Sequence, residues 1–296
     1  MNRRNFNLGL LAAGLAAAAP LGLAGCASGR AGARVTAVVT HAHVFLRGLP
    51  FVPGRRYTPD YDAPPEAYAA VLDANAMSHG VIIPISILGT NNDYTVACIR
   101  ESGGRLRGLA VVDPAQDLGK LDGLAAAGIV GIRLNLIGKP VPDVTNGAWR
   151  ELVAACRRLD WQIEVYDDAG RLPELLTPLV DAGVNVVVDH FGKPAPKLGV
   201  RDPGFRYLLG LGRTGKVRVK LSAPYRSSNE TAAAAAPMLR AAFGPERLLW
   251  GSDWPHTGFE GKVRYAALRA QLDGWIPDPD ERRIVLGETP AKLFRF

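Results

Sequence analysis

The sequence has few cysteines, and none of them has the spacing of a metal or redox motif. Its 296 residues include three cysteines, Cys26, Cys98 and Cys156, which are too far apart for a zinc site built on cysteine. Cys98 and Cys156 both lie in apolar, helix-like segments, which favours two buried free thiols. A disulfide between them stays open as an alternative, because an oxidising compartment would permit it.

The sequence also lacks a basic run and a glycine-rich phosphate loop, which argues against binding of nucleic acids and dinucleotides. The net charge is +7, but lysine and arginine are scattered, with no basic run and no interleaved aromatic repeat. Small anionic ligands therefore fit the charge better than nucleic acid, which usually needs a concentrated basic face. No glycine-rich phosphate loop follows any apolar run, which argues against a dinucleotide-binding fold.

The first 30 residues have the pattern of an export signal. Arg3 and Arg4 precede an apolar, alanine-rich run, Leu8 to Leu23, which is short for a membrane span. The paired arginines resemble a twin-arginine signal, and L-A-G-C, ending at Cys26, resembles a lipoprotein cleavage box. We expect an exported, periplasmic protein, lipid-anchored if Cys26 is modified; the alternative is an ordinary signal with a chance cysteine. Residues 31–296 would then form one domain.

The remaining chain repeats a pattern of short apolar runs that end in polar residues. Continuous apolar runs are typical of strands buried on both faces, and helix-like segments lie between several of them. Eight such runs predict a closed (β/α)8 TIM barrel, in which reacting groups gather at the carboxyl ends of the strands. The predicted strands are Val35–His43, Gly80–Ser86, Arg107–Asp113, Ile129–Asn135, Gln162–Asp167, Val184–His190, Val217–Ser222 and Leu248–Asp253.

Four of the five histidines lie at or just after predicted strand ends: His41, His43, His190 and His256. His41 and His43 are two residues apart, so both side chains would lie on the same face of their strand. Asp253 ends the last run. An aspartate at the end of a strand is, by itself, most simply explained as a helix N-cap. Because several histidines are predicted at the same end of the barrel, Asp253 becomes a candidate general acid or base.

Three ordered motifs carry a resemblance to a known family. T-H-A-H-V-F in the first strand, D-H-F-G-K-P in the sixth and W-G-S-D-W-P-H in the eighth resemble the amidohydrolase superfamily, specifically its branch of pyrone and sugar lactonases. The resemblance extends from His41 to the terminal T-P-A-K-L-F. Val39 stands where the superfamily usually has aspartate.

The resemblance implies roles for individual residues. Asp253 would be the general base that activates water, and His41, His43 and His190 would surround the scissile carbonyl. Polar groups would hold the carboxylates of the substrate, and the implied set is Tyr57, Ser86, Arg133, Lys139, Tyr166 and Arg226. Lys139 replaces an arginine of the pyrone lactonases, which keeps the charge but loses the bidentate fork.

The same residues could hold a metal. His41, His43, His190 and Asp253 form a competent set for a single zinc ion. No lysine ends the fourth strand, where many amidohydrolases have a bridging one; Arg133 is there instead, and its charge would disfavour a nearby metal ion. We therefore expect that no metal is required, with a single zinc as the alternative.

The sequence thus predicts a hydrolase that opens a small anionic lactone of the pyrone-dicarboxylate type by attack of water activated by Asp253. One alternative is a mononuclear zinc hydrolase of sugar lactones. The other is a catalytically silent periplasmic binder of carboxylated ligands, but binding alone would need only the cations. The expected partner is the small-molecule lactone, with no nucleic acid and with membrane contact only through a lipid anchor.

Overall fold

The computed structural model describes residues 34–296. Eight parallel strands form one sheet in the order β1 to β8. The strands are β1 (Val38–Ala42), β2 (His79–Ile82), β3 (Leu106–Ala110), β4 (Ile129–Asn135), β5 (Gln162–Tyr166), β6 (Asn185–Val188), β7 (Val217–Ser222) and β8 (Leu248–Gly251).

The sheet curves round until its two outer strands meet. Ala42 and Trp254 form a parallel bridge, and the amide of His43 donates to the carbonyl of Trp254 at 2.7 Å. A second bond runs from the amide of Asp253 to the carbonyl of His41 at 2.9 Å. The barrel is nearly closed, which confirms the predicted (β/α)8 architecture.

In the described part of the chain, ten α-helices connect or follow the strands. Local signals begin several of them: Asp202 accepts a hydrogen bond from the amide of Gly204, and Ser228 accepts one from that of Thr231. The helices are α1 (Pro65–Ala74), α2 (Asp93–Glu101), α3 (Leu121–Ala126), α4 (Gly147–Arg158), α5 (Leu172–Asp181), α6 (Pro203–Gly210), α7 (Asn229–Phe243), α8 (Tyr265–Trp275), α9 (Pro279–Arg283) and α10 (Thr289–Phe294).

Several strands end earlier than the sequence predicts, including β2 at Ile82 rather than Ser86 and β3 at Ala110 rather than Asp113. The sixth and eighth strands stop at Val188 and Gly251, because His190 has φ 51° and Asp253 has φ 57°. A left-handed backbone is costly for residues other than glycine and persists where the surrounding structure enforces it, often at functional sites. Both predicted catalytic residues therefore lie on turns rather than in strands.

Aliphatic side chains fill the barrel away from its polar rim. Val38, Val81, Leu109, Val130, Val187 and Leu249 form one buried cluster with Phe294 from α10. Cys98 and Cys156 are buried and free of each other, so the free-thiol interpretation holds in this structure. Within residues 34–296, no helix is both long and apolar enough to cross a membrane. The predicted export signal and the Cys26 lipobox lie outside the described residues, and export stays a prediction.

Candidate active site

A small cavity opens at the carboxyl ends of the strands, where the sequence places the reacting groups. Its volume is about 50 Å³, and we call it the rim cavity. Seven of the ten predicted site residues of the barrel line it: His43, Tyr57, Ser86, Arg133, Tyr166, His190 and Arg226. His41 and Asp253 are fully buried and contact this group. Lys139 lines a neighbouring cavity instead.

The two histidines of β1 and its end converge on Asp253. Nε2 of His43 lies 3.3 Å from Oδ1 of Asp253, and Nε2 of His41 lies 3.5 Å from the same oxygen. Gly251 makes this approach feasible, because a Cβ at that position would lie 2.5 Å from Cβ of His41. The shared strand face predicted for the two imidazoles is thus the face that meets the aspartate.

The tautomer of His43 follows from its other nitrogen. Nδ1 lies 2.8 Å from the carbonyl oxygen of Ile83, which can only accept, so Nδ1 carries the proton. In the neutral ring Nε2 then has a lone pair, and this lone pair faces the Asp253 carboxylate. Two acceptors at this distance repel each other unless they share a proton, a cation or a water molecule that lies to one side and contacts both.

The two oxygens of Asp253 have different surroundings. Oδ2 accepts from the hydroxyl of Tyr225 at 2.7 Å and from Nη2 and Nε of Arg226 at 2.7 and 2.9 Å. Oδ1 is buried and has no hydrogen-bond partner among the described residues. Burial disfavours the charged carboxylate, but the positive charge of Arg226 outweighs it and holds the pKa of Asp253 well below its usual range. Asp253 is therefore ionised at neutral pH, with one oxygen free to react.

A buried charge network, which the sequence analysis did not identify, lies beside His41. Lys220 forms an ion pair with Glu164 and lies 3.4 Å from Asp189. Nδ1 of His41 is 3.1 Å from Asp189 and 3.2 Å from Nζ of Lys220. Glu164 is two residues before Tyr166, and Lys220 is two before Ser222. This period-two spacing, with a charge inside an apolar strand, is the signal that could have placed them in the barrel.

Burial keeps two of the imidazoles uncharged. It lowers the pKa of His190 to about 3 and that of His41 well below its ordinary value, even though Asp189 favours the charged form of both. Nδ1 of His190 is 2.8 Å from the hydroxyl of Ser222. Neutral imidazoles can accept or donate hydrogen bonds without adding charge to the site.

Arg133 lies where the rim cavity meets the charge network. Its Nη1 donates to the carbonyl of Pro84 at 3.1 Å, and its Nη2 is 3.6 Å from Asp189. The guanidinium also lies 5.8 Å from the centre of the Tyr166 ring. Nε is buried, makes no hydrogen bond within the described part of the chain and lies 4.0 Å from Oε1 of Glu164. Arg133 thus braces the charge network and also lines the rim cavity.

The donor set also fits a small cation. Ligand atoms of His41, His43 and Asp253 lie within 4.8 Å of one another, as do those of His41, Asp189 and His190. Nε2 of His41 and Oδ1 of Asp253 are buried and have no hydrogen-bond partner in the described residues. Two nitrogens and one carboxylate oxygen form a ligand set that zinc accepts.

The pairing of Arg226 with Asp253 predicts a pH effect. A base must be ionised to act, so the low pKa of Asp253 should let the enzyme work down to acidic pH. In Arg226→Met that pKa should rise, and the acid limb of kcat/KM should move to higher pH, in addition to any loss of rate. Arg226→Lys, which keeps the charge, should shift the limb less. An unchanged limb in the Met variant, over a pH range where it stays folded, would contradict this pairing.

Comparisons with known proteins agree with this geometry. The family described as Amidohydrolase matches residues 38–296. The chain is 30% identical to the 2-pyrone-4,6-dicarboxylate hydrolase of Comamonas testosteroni, over 87% of this chain and 90% of that one. It is 28% identical to the 4-sulfomuconolactone hydrolase of Hydrogenophaga intermedia, over 86% of this chain and 87% of that one.

Solved structures show the same fold. A probable 2-pyrone-4,6-dicarboxylic acid hydrolase from Acinetobacter baumannii, with citric acid bound, superimposes with a TM-score of 0.84 at 33% identity, over 88% of this chain and all (100%) of that one. A Burkholderia multivorans amidohydrolase with bound zinc has a TM-score of 0.73 at 19% identity, over 88% of this chain and 99% of that one. The second likeness shows the fold alone.

Proposed function

Because this chain belongs to the amidohydrolase family, in its lactonase branch, we propose that it hydrolyses a small anionic lactone with water activated by Asp253. The observation that carries the proposal is the free Oδ1 of a buried, ionised Asp253, 3.3 Å from Nε2 of His43. The other oxygen is held by Tyr225 and Arg226, which fixes the direction in which Oδ1 points.

The reaction follows from these positions. A water molecule donates one hydrogen bond to Oδ1 of Asp253, which takes its proton as the oxygen attacks the ring carbonyl. Nδ1 of His190 lies 2.8 Å from the Ser222 hydroxyl. In the tautomer in which Nδ1 accepts from Ser222, Nε2–H of His190 can donate to the developing oxyanion. When the intermediate collapses, the ring C–O bond breaks, the leaving oxygen takes the proton from Asp253, and a hydroxy acid or its enol is released.

Arg133 binds the carboxylate of the substrate in this mechanism. Its side chain lines the rim cavity together with Tyr57, Ser86 and Tyr166, and its Nε, 4.0 Å from Glu164, makes no hydrogen bond among the described residues. A charge-assisted hydrogen bond from a guanidinium to a carboxylate is stronger than a neutral one. Arg226 adds positive charge to the rim, although its Nε and Nη2 are used by Asp253.

Metal binding is a separate question for this site. His41, His43 and Asp253 would hold a single divalent ion, which would polarise the carbonyl and lower the pKa of a bound water. The charged side chains around the site favour a reaction that needs no metal ion. Three cations, Lys220, Arg133 and Arg226, surround three carboxylates, Glu164, Asp189 and Asp253.

The net charge of this set is zero, or positive if Glu164 keeps a proton, since burial and Asp189 raise its pKa to about 8. A divalent ion would therefore add to a site that already has all its carboxylates matched. This supports metal-independent catalysis.

The test is a panel of anionic and neutral lactones, assayed with the full-length protein before and after dialysis against a chelator. We expect ring opening of an anionic member, no loss after dialysis, and less than one equivalent of zinc in the active preparation. Loss of activity restored by zinc would favour the mononuclear zinc hydrolase. Saturable binding of carboxylates without turnover of any lactone would favour the silent binder.

A further inference from the structure

A larger cavity adjoins the rim cavity, and its apolar walls have no role in the reaction described above. Its volume is about 560 Å³, against about 50 Å³ for the rim cavity. We call it the side cavity. It lies over the ends of β2, β3 and β4 and is bounded on one side by Trp149 of α4.

The two cavities adjoin each other. Ser86, Arg133 and Asn135 line both of them. A ligand whose carboxylate is held by Arg133 therefore lies at the boundary of the side cavity.

The side cavity differs from the rim cavity in chemistry. Its walls are mostly apolar and come from β4, from α4 and from the loops beside them, and they include Val112, Leu134, Leu136, Pro142 and Trp149. Its charged residues besides Arg133 are Lys139, which is exposed, and Asp113. The Asp113 carboxylate is occupied by its own loop, accepting from the amide of Ala115 at 2.9 Å and from Gln116 at 3.0 Å.

Two hydrogen bonds fix the loop that carries Lys139. The amide of Lys139 donates to the carbonyl of Leu136 at 2.9 Å, and the carbonyl of Lys139 accepts from Arg171, at the start of α5. The side cavity is therefore a formed site with a fixed wall. A pre-formed concave site with apolar walls and a few polar groups is typical of small-molecule binding.

We propose that the side cavity binds an apolar, aromatic-sized substituent on the lactone ring, so that the substrate is an aryl-substituted anionic lactone rather than a bare ring. This rests on the proposed lactonase function and deepens it. The carboxylate stays at Arg133 and the reacting carbonyl at Asp253, while the substituent packs between Val112, Pro142 and Trp149.

The experiment compares matched ligands on the full-length protein. Turnover is measured with a pyrone carboxylate and its phenyl-substituted analogue. Binding is measured by calorimetry with isophthalate and 5-phenylisophthalate, which report on the cavity without chemistry. We expect the phenyl member of each pair to be preferred by at least about tenfold, because burying the apolar area of a phenyl ring corresponds to one or more factors of ten.

Variants locate the preference. Pro142→Trp, which fills the side cavity, should remove the preference for the phenyl ligand. It should leave the unsubstituted ligand within about twofold, because Pro142 does not line the rim cavity. Trp149→Ala, which removes one wall of the side cavity, should weaken the preference for the phenyl-substituted ligand. Leu198→Trp, at an exposed residue after β6, is the control and should change nothing.

The outcomes separate the two proposals. Turnover of the bare pyrone carboxylate with no preference for the phenyl members, or a preference that survives Pro142→Trp, overturns the side-cavity assignment alone. Failure to open either lactone overturns the proposed function. In that case calorimetry still tests the side cavity as a binding site. Tighter binding of 5-phenylisophthalate than of isophthalate, with the difference lost in Pro142→Trp, would support it.

Discussion

Asp253→Asn is expected to reduce turnover of an anionic lactone by about 10²–10⁴-fold, the range that general acid–base catalysis contributes. The amide has nearly the same shape and can still contact Arg226 and Tyr225 through its oxygen, but it cannot take a proton from water. The effect should therefore fall on kcat, with KM changed less. The measurement is steady-state kinetics, together with thermal unfolding to show that the variant is folded.

A second aspartate provides the matched control for this substitution. Asp168 follows β5, is exposed and pairs only with Lys193 in the described structure. Asp168→Asn removes a carboxylate from the same end of the barrel but not from the rim cavity, and it should keep near wild-type turnover. Near wild-type turnover of Asp253→Asn would remove this residue from the mechanism.

Arg133→Met is expected to raise KM for an anionic lactone by about 10- to 150-fold. This corresponds to about 1.5–3 kcal/mol for a hydrogen bond to a charged group. A neutral lactone presents no carboxylate and should lose much less. The ratio of kcat/KM for matched anionic and neutral lactones is the readout.

The structural role of Arg133 needs its own control. Because Arg133 lies 3.6 Å from Asp189, the Met variant can also lose stability, since removing one partner of a buried charge pair is costly. Arg133→Lys keeps the charge near Asp189 but loses the planar fork, so it should recover stability more fully than selectivity. Equal losses on charged and neutral lactones would show that Arg133 only braces the rim.

Much of the fold follows from the sequence for a simple reason. A strand buried on both faces is mostly apolar along its length, so eight such runs identify eight barrel strands without information about contacts. The His-x-His spacing likewise fixes a shared face, and the structure brings both rings to Asp253. Strand ends were less predictable, because the left-handed backbone at His190 and Asp253 depends on the surrounding packing.

The pairing of charges could not be read from the sequence. Arg226 could equally have faced a substrate or an aspartate of the rim, and the structure places two of its nitrogens on Asp253 itself. Lys139 belongs to a loop whose course depends on contacts with Leu136 and Arg171, so its place in the side cavity had no local signal. Glu164 and Lys220 had one, the inward-facing charge within a strand, but their ion pair needs the closed barrel.

Isotope labelling in a single turnover tests most directly whether Asp253 activates water or attacks the carbonyl itself. Excess full-length enzyme opens an anionic lactone in water enriched in ¹⁸O, and both the product and the peptide containing Asp253 are analysed by mass spectrometry. If Asp253 is a general base, the new carboxylate of the product carries one labelled oxygen and the Asp253 peptide carries none. Label in the Asp253 carboxylate would instead show a covalent acyl-enzyme and contradict the mechanism proposed for this site.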